Sequence, residues 1–362
     1  MKLAFLGDVA LVGKYDLTNN PKARERLRPL ADKLKSYDYV IANLETPLTE
    51  KKSSWIPKSM HLRSSVRNAE LLKFLHINAV SLANNHIYDF GTKGIQDTIK
   101  NLDKVGIEWF GVNSKSLNKK IKNNNICISG FCCYSTNGAG YAHKNKYFGI
   151  NVLTWKNIAD QISKDIKNGA LSIFSIHWGR EHTNYPNYEH VCLAKKITTL
   201  KEVIIHGHHP HIIQGVQKVN NSLVAYSLGN CLFDDCTNIN GNFTVKQNEH
   251  NKTSFLLEVS IEKDKILDYK TIGFKDEDVG ISFHDINSFI HKISTPLENI
   301  QDVGQYNLQR NEQINRTLLS KFGRHDFKWL MSRLNYYSLG ARVTAIVRKR
   351  KYKEEAKQFM KI

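Results

Sequence analysis

LSIFSIHWGREHTNYPNYEHVCLAKKITTLKEVIIHGHHPH, Leu171 to His211, carries a complete structural unit in one run. LSIFSIH is an apolar stretch of strand length that ends in His177. YEHVCLAKKITTL is a helix, and EVIIHGHH is a second apolar stretch of strand length. Strand, helix, strand is the βαβ pattern of an α/β fold with parallel strands. Both strands also end in the same chemistry. His177 closes the first; His206, His208, His209 and His211 crowd the end of the second. One histidine at a strand end is ordinarily a hydrogen-bonded core residue, so the other strand ends decide what this one means.

They repeat the pattern. KLAFLG is a strand ending at Asp8, and YVIANLE ends in Asn43 and Glu45. AVSLANN is read as a third strand ending in Asn84, Asn85 and His86. Helices separate them. RERLRPLADKLKSY has Leu27, Leu30 and Leu34 on one side, SVRNAELLKFLHI follows, and GIQDTIKNLDKVG stops at Gly106. IEWFGV and NICISGFCCY read as strands, WKNIADQISKDIKNG as a helix, and SLVAYSLGN as one further strand. TSFLLEVSIEKDKILDYKTIGF is a hairpin turning over Glu262–Lys265, and beyond Asp276 the pattern becomes helical and basic. The expected organisation is an α/β domain over 1–275 and a helical basic extension over 276–362.

Composition bounds the class. The chain has 362 residues, 41% hydrophobic and 24% charged, as in ordinary globular proteins. Its six cysteines form no CxxC pair, which argues for reduced thiols and against a cysteine zinc site. MKLAFLGDVAL reads as a first strand rather than a leader, and no apolar run approaches the roughly 18 residues that span a membrane. A cytoplasmic location is expected. Net charge is +18, and residues 316–362 alone hold 13 Lys and Arg against 3 Asp and Glu. Such a tail suits an anionic partner, or simply a solvated end. Its helix, with Leu330, Leu334, Tyr337, Ala341 and Ala345 at 3–4 spacing, is expected to pack on the domain or to lie on the inner face of an anionic membrane.

In open α/β sheets, ligands bind at the carboxyl ends of strands. Five strands here deliver Asp, Glu, Asn and His to that edge. Carboxylate, amide oxygen and imidazole without thiolate suit Mn, Zn or Fe, and such an ion makes a hydroxide nucleophile available at neutral pH. No GxSxG or Cys-His signature is present, and GDVALVGK has too few glycines for a phosphate-binding loop.

Six stretches then match one family in order: GDVAL at Gly7, NLETPLT at Asn43, SLANNHIYDFGTKGIQDTIKNL at Ser81, HWGREHTNYP at His177, GHHPHIIQGV at Gly207 and YSLGNCLFD at Tyr226. The chain resembles the CapA family of capsule-synthesis or poly-γ-glutamate biosynthesis proteins, which looks like a branch of the calcineurin-like metallophosphoesterase superfamily. The resemblance implies a four-layer fold, two mixed β-sheets face to face with helices outside, and one or two divalent ions at the strand ends. By motif it assigns Asp8, Glu45, Asn85, His177, His209 and His211 as metal ligands, with His86 as the residue that binds substrate or acts as general acid. Asp89 is placed to orient His86, and Glu181 is read as a ligand or general base. Arg180 is read as a contact for substrate anions, as is Lys58. Asn43, Asn84, His206 and His208 are supporting residues around the ligands.

The chain departs from the superfamily's Asp-x-His opening, because Ala10 stands at the histidine position. Two functions stay open. One is a metal-dependent hydrolase of capsule polysaccharide or poly-γ-glutamate biosynthesis, attacking a phosphoester or γ-glutamyl amide of an anionic polymer or phosphorylated substrate. The other is a non-catalytic assembly or polymer-binding accessory. Specific nucleic-acid binding is not expected, since aromatic and basic residues do not interleave.

Overall fold

Alternation along the strands builds the layers. In β1 (Lys2–Val9), Leu3 and Phe5 face one side and Ala4 and Leu6 the other, and all four are fully buried. A strand buried on both faces needs cover on both, which a sandwich flanked by helices provides. The computed structural model describes residues 1–141, 149–239, 241, 244–322 and 334–361.

The further strands are β2 (Tyr39–Leu44), β3 (Ala79–Ser81), β4 (Glu108–Phe110), β5 (Ser116–Ile121), β6 (Asn124–Cys132), β7 (Leu171–His177) and β8 (Val203–His208). After them come β9 (Val216–Val219), β10 (Ser222–Ala225), β11 (Asn230–Leu232), β12 (Cys236–Thr237), β13 (Thr244–Val245), β14 (Thr253–Glu262), β15 (Lys265–Glu277) and β16 (Gly280–His284). The first sheet runs β16-β15-β14-β1-β2-β3-β4, with β11 also paired to β1; the second runs β5-β6-β7-β8-β10-β9. β1 to β4 are parallel, as are β6, β7, β8 and β10, while β14 to β16 add antiparallel strands. Both sheets are therefore mixed, as expected.

Three apolar layers hold the stack. Leu3, Phe5, Ile41 and Phe255 of the first sheet meet Ile128, Ile173, Ile204 and Leu223 of the second. Ala4, Leu6, Val40 and Val80 pack outward against α1 (Ala23–Leu34), α2 (Ala69–Phe74) and α3 (Gly91–Val105). Phe174, Ile176 and Ile205 pack outward against α4 (Trp155–Lys167) and α5 (Tyr188–Thr198). Fully burying one such Leu, Ile or Phe contributes about 1.5–3 kcal/mol. This is the four-layer architecture the sequence implied.

Three local readings change. AVSLANN is strand only to Ser81; Asn84, Asn85 and His86 lie in the loop after it. SLVAYSLGN is two strands, not one: β10 ends in the second sheet at Ala225, and β11 begins beside β1 at Asn230. The crossing is made at Gly229, whose φ of +79° suits glycine. A side chain on Gly7 would meet the Gly229 carbonyl at 1.9 Å, so that glycine is needed for the approach of the two segments. The hairpin forms as read, and Lys263 and Asp264 both take positive φ in its two-residue turn.

The first sheet continues past residue 275, through β15 and β16 to His284. Helices α6 (Asn287–Glu298), α7 (Val303–Phe322) and α8 (Tyr336–Met360) follow. α8 folds back over α5, seating Phe359 in the outer core at 1% exposure. Of the expected apolar face, Leu330 lies outside the described residues and Leu334 is exposed, while Tyr337 donates to the Ser54 carbonyl and Ala341 and Ala345 line a cavity with Pro57. A different stripe, Leu339, Val343, Ile346 and Val347, faces solvent. No described helix is long and apolar enough to cross a membrane.

Candidate metal centre

Parallel register brings the polar strand ends together. Asp8 pairs with Asn43 across β1 and β2, and His177 with His208 across β7 and β8. Glu45 follows β2 directly, and the loop after β3 supplies Asn84, Asn85 and His86. Asp8, Asn43, Glu45, Asn84, His177, His206 and His208 are inaccessible to solvent; Asn85, His86 and His209 are nearly so. His209 and His211 both have positive φ, so the loop after β8 is turned sharply to aim them.

Asn43 Nδ2 donates to Asp8 Oδ1 at 2.7 Å, and the His209 amide donates to Asp8 Oδ2 at 3.1 Å. His211 Nδ1 stands 3.6 Å from Asp8 Oδ2, and its Nε2 stands 3.7 Å from Glu45 Oε1. His177 Nε2 is 2.9 Å from Asn85 Oδ1 and 3.8 Å from Glu45 Oε1. Asp8, Glu45 and His211, and likewise Glu45, His177 and His209, each present three donor atoms within 4.8 Å of one another. So do Glu181, His209 and His211, and Asp8, His177 and His208.

The donor set fits a divalent cation. Both Glu45 oxygens and His209 Nδ1 are buried without a hydrogen-bond partner among the described residues. Buried carboxylates are expensive unless compensated. Burial raises the Glu45 carboxyl well above its ordinary range, and Asp8 and Glu181 raise it further. Burial also raises Asp8, offset by His211, Asn43 and the His209 amide. Burial pushes His177 well down and His209 to about 3, which keeps both rings neutral, each with one nitrogen lone pair available to a cation. Ala10 contributes no donor; its amide is bound to the Leu232 carbonyl at 2.6 Å.

His86 stands beside this cluster. Asp89 Oδ2 is 2.6 Å from His86 Nδ1 and accepts from the Leu62 amide, while Asp89 Oδ1 is 2.6 Å from Lys58 Nζ. Burial opposes ionisation of Asp89, but Lys58 and His86 outweigh it and its pKa is lowered. Burial and Lys58 hold His86 at about 4. Lys58 lines the cavity that opens here, and its ammonium is bonded to Asp89, the Asn85 carbonyl at 2.8 Å and His86. A cavity of about 220 Å³ opens here, lined by His86, Asn85, Glu181, His182, His211 and Phe233. Arg180 is exposed and does not line it.

His206 and His208 lie on the same strand face as His177, which pairs with His208 across β7 and β8. With Ser175 they point between the sheets, and His206 packs on the Phe5 ring. Asn84 braces Asn43 and the backbone of His86. Sequence reading missed His182 in the cavity wall and the support around His211. Asn230 Oδ1 lies 2.9 Å from His211 Nδ1, and Asn251 donates to the His211 carbonyl. Asn230 lay within the quoted YSLGN motif, but its partner depends on the crossing between sheets.

Together these residues define a two-sheet α/β sandwich with a carboxylate–imidazole centre suited to divalent metal at its strand ends. Residues 2–235 match the family described as bacterial capsule synthesis protein PGA_cap, and the chain belongs to that family. It is 30% identical to the PGA biosynthesis protein CapA of Bacillus subtilis over 65% of this chain and 63% of that one. It is 29% identical to the capsule biosynthesis protein CapA of Bacillus anthracis over 65% of this chain and 60% of that one. The matched region thus spans less than two thirds of either relative. Among solved structures, the calcineurin-like phosphoesterase YfkN of Bacillus subtilis aligns over 87% of this chain and 98% of that one, at 13% identity and a TM-score of 0.40.

Proposed function

We propose that this protein is a metal-dependent hydrolase of surface-polymer biosynthesis, cleaving a phosphoester or γ-glutamyl amide in an anionic substrate. The observation that carries this reading is the Glu45 carboxylate, whose two oxygens have no hydrogen-bond partner among the described residues and whose Oε1 stands 3.8 Å from His177 and 3.7 Å from His211, a residue of the cavity wall. Asp8, Glu45, Asn85, His177, His209 and His211 would hold the ion. A bound divalent ion supplies Lewis acidity and water activation. His86, its Nδ1 fixed by Asp89, exchanges a proton with substrate at Nε2. Glu181 lines the cavity and serves as ligand or base. The family relatives and the net charge of +18 support an anionic polymer.

A second reading, a non-catalytic assembly accessory, is favoured by Ala10, which removes one imidazole from the centre. Metal analysis followed by phosphodiester and γ-glutamyl hydrolysis assays separates the two. Metal-dependent turnover that His86→Ala reduces at least 100-fold supports the hydrolase; bound metal with no turnover of either substrate class supports the accessory.

Peripheral membrane contact belongs to the same proposal, on the cytoplasmic side. It rests on the exposed stripe Leu339, Val343, Ile346 and Val347, flanked by Arg342, Lys349 and Arg350. Co-sedimentation with anionic vesicles, abolished by Val343→Asp with Ile346→Asp, is the expected result; wild-type protein staying in solution sinks it.

A further inference from the structure

A second cavity adjoins the candidate centre, beneath α8. Its volume is about 280 Å³, and it shares the wall residues Lys58, Ser59 and Asn137 with the cavity lined by His86 and Glu181. One face of α8 forms its far side, where Ser338, Ala341, Arg342, Ala345 and Arg348 recur at 3–4 spacing. The helix is held close to the body just before it. Tyr337 donates to the Ser54 carbonyl, and a side chain on Gly340 would meet Pro57 Cβ at 2.4 Å. Ala341 and Ala345 are short, which leaves the space open between the two arginines.

The charge around this cavity is unbalanced. Among the described residues no Asp or Glu lines it, whereas Lys58, Arg342 and Arg348 do. Lys58 is already matched, since its Nζ meets Asp89, the Asn85 carbonyl and His86. Arg348 is not. Its Nη2 donates to Asn137 Oδ1 at 2.6 Å, a neutral acceptor, and its Nε is buried with no hydrogen-bond partner among the described residues. Burial lowers its pKa from an ordinary value so high that the guanidinium keeps its charge. A buried charged donor without an acceptor is costly, and the group that satisfies a guanidinium fork is the paired oxygens of a carboxylate or phosphate. Arg342 is exposed and supplies a second such fork on the same wall.

We infer that this cavity is an oxyanion subsite, in which Arg348 and Arg342 hold a second acidic group, carboxylate or phosphate, of a substrate whose reacting bond lies beside His86. The inference rests on the proposed hydrolase only for that reacting bond. Its α8 wall lies outside residues 2–235, so the subsite belongs to this chain's extension and not to the region shared with the family.

Calorimetric titration of the metal-free full chain with a short γ-linked glutamate oligomer and with tripolyphosphate tests it. Salt of about 0.15 M screens attraction to the overall +18 charge beyond about 8 Å. At least one probe is expected to bind, and which one does distinguishes carboxylate from phosphate. Arg348→Gln is expected to weaken that probe about 10- to 100-fold, and Arg348→Lys, which keeps the charge but not the fork, to recover only part of the loss. Arg342→Gln, at an exposed position that folding tolerates, is expected to weaken it about 3-fold. Lys353→Gln removes the same charge from α8 away from the cavity and is expected to change affinity less than about 2-fold. Binding of neither probe overturns the inference. So does a Lys353→Gln loss equal to that of the arginine variants, or an affinity that neither Arg342→Gln nor a folded Arg348→Gln alters. Probe binding that depends on the arginines, in a protein with no metal-dependent turnover, would uphold the subsite and refute the hydrolase. Turnover with a KM that Arg348→Gln leaves unchanged would do the reverse. If both hold, Arg348→Gln raises KM and leaves kcat within about 2-fold.

Discussion

Glu45→Gln separates the two consequences of a carboxylate buried at this centre. Among the described residues both oxygens lack a hydrogen-bond donor, and the imidazoles of His177 and His211 stand 3.8 and 3.7 Å from Oε1. Without a cation, the fold must bury an uncompensated charge or hold a proton that the unfolded chain releases near neutral pH. An uncompensated buried charge costs about 3–5 kcal/mol. An amide of the same shape removes that cost but leaves polar atoms that are incompletely bonded, at about 1–3 kcal/mol. The metal-free variant is therefore expected to be more stable than wild type by about 2 kcal/mol, a rise of a few degrees in Tm. Metal reverses the order. At 100 times its Kd an ion stabilises the wild-type protein by about 2.7 kcal/mol. The variant, lacking the anionic donor shared by two of the ligand groups, is expected to gain little. The assay is thermal unfolding of chelator-treated protein with and without Mn²⁺ or Zn²⁺, alongside calorimetric titration of the same ions. The expected signature is a crossing: the variant melts above wild type without metal and below it with metal. A variant that melts lower in both conditions, with an unchanged metal-induced shift, refutes the reasoning.

Asp89→Asn strands the Lys58 ammonium, which is about 9% exposed and has Asp89 as its carboxylate partner at 2.6 Å. The expected loss is about 3–5 kcal/mol in urea unfolding; a loss below about 1 kcal/mol would mean that Lys58 reaches water. His190, fully buried on Trp178, is held at about 3 by burial and by Arg310. Its folded pKa lies below the unfolded value near 6.5, so the unfolded chain binds more protons between them. Its contribution is complete above about pH 6.5 and is lost as pH falls, by about 2 kcal/mol at pH 5. His190→Phe should lessen the difference in unfolding free energy between pH 7.5 and pH 5 by that amount, and an unaltered difference would count against it. Phe359→Ala empties a buried site between α8 and α5 and should cost about 3–5 kcal/mol. Faster proteolysis within α8 would accompany it; equal stability would show that the helix is not docked.

The sequence alone carried the strand-and-helix order, the mixed two-sheet architecture implied by its motifs, and the family. These are legible because they rest on local periodicity and on residues adjacent in the chain: apolar runs closed by Asp8, Asn43, Glu45, His177 and the 206–211 cluster. Only the tertiary structure decided how those side chains face one another. Period-two alternation sends His206 and His208 between the sheets on the same face as His177, while backbone at positive φ turns His209 and His211 over the centre. The break of SLVAYSLGN into strands of different sheets, which sets Asn230 against His211, depends on Gly7 meeting Gly229 across 222 residues of chain. α8 shows the same division. Its spacing announced a helix with an apolar face, but two apolar stripes were available. Which one packs was set by the shape of the surface beneath it, at Ser54, Pro57 and α5, and no local pattern records that surface.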